Sequence, residues 1–189
     1  MKQGLQGSLY LASVEGHAPR LFSSWIAGFH KDYPQVQYSL WNGDTDEVEA
    51  RVNKGLCDLG LIMDPFNAEG LNSIHVYSEP WIAMIPAAHP LAQWPGDSIP
   101  LAQLAPYELI IPSRATRLQE MTEQNVGIAI YPAAAAEFAA GASICIKRVV
   151  EPSVTASYAL VWSQNRPLSR VSREFLNYVK NTLADPPAE

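Results

Sequence analysis

Ser13, His17 and Thr45 are the side chains in this 189-residue chain whose types and placement best suit a small polar ligand. Ser13 and Thr45 fall where a predicted strand gives way to a predicted helix. His17 follows Ser13 by four residues, at the start of the same helix. Free backbone N–H groups at a helix start, joined by hydroxyls or an imidazole, can receive a carboxylate. Gly16, one residue before His17, is free to take positive φ in the turn. Glu15 and Asp44 share these two turns and oppose a simple anion site, because two carboxylates repel an anionic ligand. Either they point to solvent or the ligand carries a cationic group as well. Ser113 and Arg114 follow another apolar run, Leu109-Ile110-Ile111, and the guanidinium suits a bidentate carboxylate. A plainer account stands beside each choice. Capping alone explains Ser13 and Thr45, and Arg114 can be a surface arginine in a loop.

Motifs for catalysis are absent. There is no Gly-x-Ser-x-Gly elbow, no phosphate loop and no His-Glu-x-x-His helix. The four histidines, His17, His30, His75 and His89, are scattered. Cys57 and Cys145 lie far apart and outside any short-spaced metal motif, so no metal or cofactor is expected. A reduced, cytosolic protein is the simpler reading of two such cysteines. Net charge is −6, which argues against this chain gripping nucleic acid by itself. No apolar run approaches membrane-spanning length, and no signal-peptide core opens the sequence.

The elements that must position Ser13 and Thr45 are legible. Ser8 to Ser13 alternates as a strand, with Leu9 and Leu11 facing one way. Val14 to His17 is a turn, and Pro19 suits a first helical turn. Leu21, Phe22, Trp25, Ile26 and Phe29 make one broad apolar helical face. That face is either core or, in part, a surface for pairing with a second copy. Tyr33-Pro34 stops the helix. Val36, Tyr38 and Leu40 alternate as a second strand ending near Trp41, and Asn42-Gly43 reads as a turn. Asp44 and Glu47 are spaced for a capping box, Val48 and Val52 share a buried face, and Gly55 closes this helix. Asp58 to Met63 is a short apolar run suited to a strand covered on both faces. Ser8 to Met63 is therefore βαβαβ with right-handed crossovers. In such sheets ligands bind beyond the carboxyl ends of the strands, where Ser13 and Thr45 fall.

Farther on, Leu71 to Tyr77 and Trp81 to Ile85 read as two separate strands. His89 to Ile99 is loop-like, and Pro100 opens a single helical turn through Leu104. Leu109 to Ile111 reads as a buried strand. Leu118 and Met121 lie in a weakly helical segment. Val126 to Tyr131 is a strand interrupted by Gly127. Ala133 to Ala140 is helical, closed by Gly141. Ile144 to Val150 and Tyr158 to Trp162 are strands. A last helix carries Val171, Phe175, Val179 and Leu183, with Ser169 as N-cap. An internal echo links Trp81 to Leu91 with Ala159 to Leu168: an apolar strand, a polar stretch, then Pro-Leu. Two similar strands bounding one central segment suggest two chain crossings between two lobes.

In order, Gly7-Ser-Leu-Tyr-Leu-Ala, Phe29-His-Lys-Asp-Tyr-Pro34, Val52-Asn-Lys-Gly-Leu-Cys-Asp58-Leu-Gly-Leu-Ile, His89-Pro-Leu-Ala, Val126-Gly-Ile-Ala-Ile-Tyr-Pro132 and Arg166-Pro-Leu-Ser resemble the effector-binding domain of LysR-type transcriptional regulators. The resemblance covers nearly the whole chain. It implies an α/β fold of the type-2 periplasmic-binding-protein kind, with two lobes hinged by two crossing strands. Residues 8–77 with 159–184 would form the first lobe and 78–158 the second. It implies a small-molecule effector, often a carboxylate metabolite, in the inter-lobe cleft. Ser13, His17 and Thr45 would there face Ser113 and Arg114. It implies a homodimer acting on DNA through an N-terminal helix-turn-helix that this chain does not include. A solute-binding protein of a transport system shares the fold and is the rival reading. One departure stands out. Between Ile111 and Val126 the family has several tens more residues. Either the second lobe is reduced, or a stretch is missing between residues 113 and 125. Thin cover for the Ile110 and Ile128 strands favours the missing stretch.

Overall fold

The computed structural model describes residues 4–111, 122, 124–139 and 143–184. The chain divides into two units, Met1–Tyr77 with Tyr158–Glu189, and Ser78–Ser157.

In the first unit, β1 (Gly7–Val14) pairs in parallel with β2 (Val36–Gly43) and with β3 (Leu59–Met63). β3 in turn pairs antiparallel with the final strand, β9 (Thr155–Ser163). Helix α1 (Ala18–Asp32) links β1 to β2, and α2 (Thr45–Asn53) links β2 to β3. The predicted βαβαβ unit is thus present. One boundary differs. Asn42 and Gly43 do not turn but continue β2, opposite Ser13 and Val14. The neighbouring strand runs on to Val14, and the ladder it offers outweighs the turn preference of Asn-Gly.

Phe22, Trp25 and Phe29 are all buried. Phe29 meets Phe175 edge-on at 5.2 Å, and Phe175 belongs to the last helix, α4 (Arg170–Ala184). The aromatic face of α1 is therefore core, and these three rings are not a surface for a second copy. Ser169 Oγ accepts the Ser172 N–H at 3.1 Å, the expected N-cap of α4. On α2, Val48 and Val52 close over Gly60. A Cβ there would lie 2.8 Å from Val48 Cγ1 and 2.9 Å from Val52 Cγ2, so the close packing requires glycine.

The strand β4 (Leu71–Pro86) is one element of 16 residues where two were expected. Pro80 does not break it, because the fixed φ of proline fits extended backbone. β4 and β9, the strands that carry the internal echo, are the two that pass from one unit to the other. In the second unit the order is β5 (Ser98–Pro100), β8 (Ile144–Val150), β4, β7 (Ile128–Pro132), β6 (Leu109–Ile110). α3 (Leu101–Leu104) is the expected single turn after Pro100.

Several second-unit expectations need correction. The segment after His89 is not all loop. His89 Nδ1 accepts the Leu91 N–H and starts a 3-10 turn, Pro90–Gln93. Buried Lys147 donates to Trp94 O at 2.8 Å and Gly96 O at 2.7 Å, which fixes the next stretch. Ile111 and Val126 are exposed and lie outside their strands. A Cβ on Gly127 would come within 2.7 Å of Glu108 O, so β7 begins only beyond that close approach. Ala133–Ala139 is 3-10 rather than α-helical, with the Ala134 N–H donated to buried Glu79. Leu118, Met121, Ala140 and Gly141 lie outside the described residues.

Candidate functional site

The carboxyl ends of β1, β2 and β3 meet at one edge of the first unit, because all three run parallel. Ser13 is buried at that edge and donates its hydroxyl to Asn42 Oδ1 at 2.9 Å. Asn42 thus joins the candidate residues at this edge, although local sequence reads it as a turn. Continuing the β1–β2 pairing by one residue would have found it. Thr45 Oγ1 donates to Met63 O at 3.3 Å and ties the start of α2 to the end of β3.

The two helix starts at this edge differ. α2 carries a complete capping box: Asp44 Oδ1 accepts the Glu47 N–H at 2.9 Å, and Glu47 Oε2 accepts the Asp44 N–H at 3.0 Å. Two carboxylates thus already occupy the positive end of α2. Asp44 is placed as a cap, and its carboxylate makes this end unfavourable for an anion. α1 has no side-chain cap and no acidic residue in its first turn. Its end stays open to negative charge, worth about 0.3–1 kcal/mol near a helix terminus. Glu15 is exposed in the turn before it, and Gly16 takes φ +86° there.

His17 occupies the N-cap position of α1. Its ring stacks on Tyr77, with centroids 4.3 Å apart and planes 16° from parallel. Tyr158 lies tilted at 6.3 Å. His17 Nδ1 is buried and has no hydrogen-bond partner among the described residues. Ser113 and Arg114 lie outside the described residues. The structure therefore brings Ser13, Gly16, His17 and Thr45 to one edge, together with Asn42.

Elsewhere, Cys57 is a free, buried thiol and Cys145 a free, half-buried one. Burial pushes the Cys57 thiol up, partly offset by a hydrogen bond and the positive charge of Arg51. Arg51 in turn lies over the Trp41 ring at 4.1 Å. Among the described residues, no group of three or more His, Cys, Asp or Glu could hold a metal ion. No described helix is long and apolar enough to cross a membrane.

The sequence model of the family described as LysR substrate binding domain matches residues 2–124. The chain belongs to that family. Its relative YnfL of Escherichia coli strain K12, an HTH-type transcriptional regulator, is 28% identical over 213 aligned residues. The alignment takes in 97% of this chain and 71% of YnfL. It is longer than the 189 residues here, so YnfL carries residues with no counterpart in this chain. Among solved structures, the effector binding domain of QuiR in complex with shikimate superimposes with a TM-score of 0.81 at 17% identity, over 96% of this chain and 99% of that one. The reduced form of OxyR gives 0.80 at 19% identity, over 97% and 98%. These likenesses show the type-2 periplasmic-binding-like fold, as the sequence resemblance implies. The LysR substrate-binding domain is a part of transcriptional regulators, and the regulator-like segment order outweighs the transport reading.

Proposed function

We propose that this domain senses a small, carboxylate-containing metabolite and thereby sets the DNA binding of a LysR-type regulator. The observation that carries this reading is the asymmetry of the two helix starts. α2 is closed by Asp44 and Glu47, whereas α1 is open beside Ser13, Gly16 and His17. A carboxylate drawn to the open end is received by turn N–H groups and the Ser13–Asn42 pair. Thr45 supports this edge from α2, and Ser113 and Arg114 complete the proposed ligand set, with Arg114 as guanidinium partner. Glu15 and Asp44 flank the set and favour a ligand whose negative charge is confined to one end. DNA contact belongs to an N-terminal helix-turn-helix, the effector is the small-molecule partner, and the regulator works in the cytoplasm as a homodimer. The domain turns nothing over and needs no cofactor or membrane.

A thermal-shift screen of small carboxylic acids, each beside its neutral amide, tests the reading. An acid that raises the melting point while its amide does not is the expected result. With that acid, Arg114→Ala weakens binding by about 1.5–3 kcal/mol, as for a charge-assisted hydrogen bond. Ser13→Ala weakens it by about 0.5–1.5 kcal/mol. Normal binding by Arg114→Ala would remove the guanidinium role.

A further inference from the structure

Three residues of the first unit meet where sequence separation would not put them. His17 is in the turn after β1. Tyr77 is the last residue of the first unit before the chain enters the second, within β4. Tyr158 is the first residue of that unit on the return, within β9. His17 stacks on Tyr77 at 4.3 Å and tilts against Tyr158 at 6.3 Å, and the two tyrosines lie 6.1 Å apart. Gly16 adjoins the group, since a Cβ there would lie 3.8 Å from the Tyr158 hydroxyl. One ring of the turn thus touches both points at which the chain passes between units.

The orphaned Nδ1 of His17 adds a second observation. A buried polar atom without a partner is costly, and a phenylalanine would stack equally well without that cost. The coupling argued here therefore rests on the ring and not on this nitrogen.

We infer that His17 is a positioning residue that couples the effector turn to both crossing strands. Its ring transmits the setting of residues 13–17 to the backbone at Tyr77–Ser78 and Ser157–Tyr158, and the reverse. A shift of the turn on taking up a carboxylate repacks the three rings, which biases the two strands that join the units. The inference rests on the turn being the effector's seat. The coupling itself is testable without effector, so its failure is separable from a failure of the ligand reading.

Hydrogen exchange of the ligand-free chain provides the test. His17→Ala removes the ring. Exchange at the amides of residues 76–79 and 156–159 is expected to rise about two- to tenfold, the factor that the loss of one aromatic pair gives. Amides of α2 keep their protection, and His17→Phe restores the wild-type pattern at the crossings. Unchanged exchange at the crossings in His17→Ala overturns the coupling, and so does an equal rise in His17→Phe. If His17→Ala loses protection throughout the unit, Tyr77→Leu decides from the opposite side. Faster exchange at residues 14–17 then supports the coupling, and unchanged exchange there overturns it.

Discussion

His17→Phe should stabilise the protein. The substitution keeps a flat ring of similar size against Tyr77 and Tyr158. What it removes at Nδ1 is a buried nitrogen with no partner among the described residues. Leaving such a group unsatisfied costs about 1–3 kcal/mol relative to solvating it. At the low end of that range, a net stabilisation of about 1 kcal/mol is the working figure. In a chain of this size that corresponds to a melting point higher by about 2–4 °C. Urea unfolding followed by tryptophan emission provides a second measure, because Trp25, Trp41 and Trp162 all belong to the first unit. The midpoint should rise with an unchanged slope. His17→Ala should move the other way, since the stacked pair is worth about 0.5–1.5 kcal/mol. A His17→Phe variant less stable than wild type would refute the reasoning, because the nitrogen would then be contributing to the fold.

Two further outcomes concern the scaffold. Gly55 follows α2 with φ +70°, and a Cβ there would fall on the Arg166 guanidinium, whose Nη1 donates to Lys54 O at 3.0 Å. Gly55→Ala should therefore cost about 2–3 kcal/mol in chemical denaturation, combining left-handed strain with loss of the hydrogen bond. Adding Arg166→Ala should cost little more, and full additivity of the two would show that they are not coupled. The raised Cys57 pKa makes stability depend on pH. Above the ordinary thiol range of about 8.5 the unfolded chain loses this proton first, so stability present below that pH declines as pH rises through the folded value. Tyr38, also raised by burial, adds a decline of the same sign at higher pH. Melting points of Cys57→Ala between pH 7 and 10 should fall less steeply than those of wild type, and parallel curves would count against the assignment.

Local sequence carried much of the first unit and less of the second. Pro19, the apolar spacing of α1 and the Asp44–Glu47 box act over a few residues, and each appears where those short-range preferences put it. The end of β2 depends instead on how far β1 continues beside it, a contact 29 residues away in sequence. That is why Asn42 reads as a turn from its local sequence. Pro80 looked like a break because proline is rare inside strands, but the pairing of β4 with β7 and β8 on one side of it overrides that preference. The orphaned nitrogen of His17 and the stack on Tyr77 join residues 60 positions apart, and no periodicity reports them. Ser113 and Arg114 follow an apolar run in the sequence, and their part in the site is a proposal.

The burial of the α1 aromatics also limits what this helix offers to a second copy. Apolar spacing marks which face of a helix is covered but not what covers it. Here α4 covers it, through Phe175 against Phe29. The exposed positions of α1 are Arg20, Ser23, Ser24, Ala27, His30, Lys31 and Asp32, none of them large and apolar. A pairing through this helix would therefore be polar and small-sided, unlike the hydrophobic interfaces of obligate dimers. On β2, Leu40 is half exposed, as is Tyr10 on the neighbouring β1, so the described apolar surface of this sheet is modest. The expected association of this domain alone is thus weak and concentration-dependent. Sedimentation velocity should show a monomer at micromolar concentration and a growing dimer fraction as concentration rises by about two orders of magnitude, with dissociation on the millimolar-to-micromolar scale of about 4–8 kcal/mol. A tight dimer at nanomolar concentration would mean that another, apolar surface pairs the copies. A monomer at every concentration would count strongly against the homodimer.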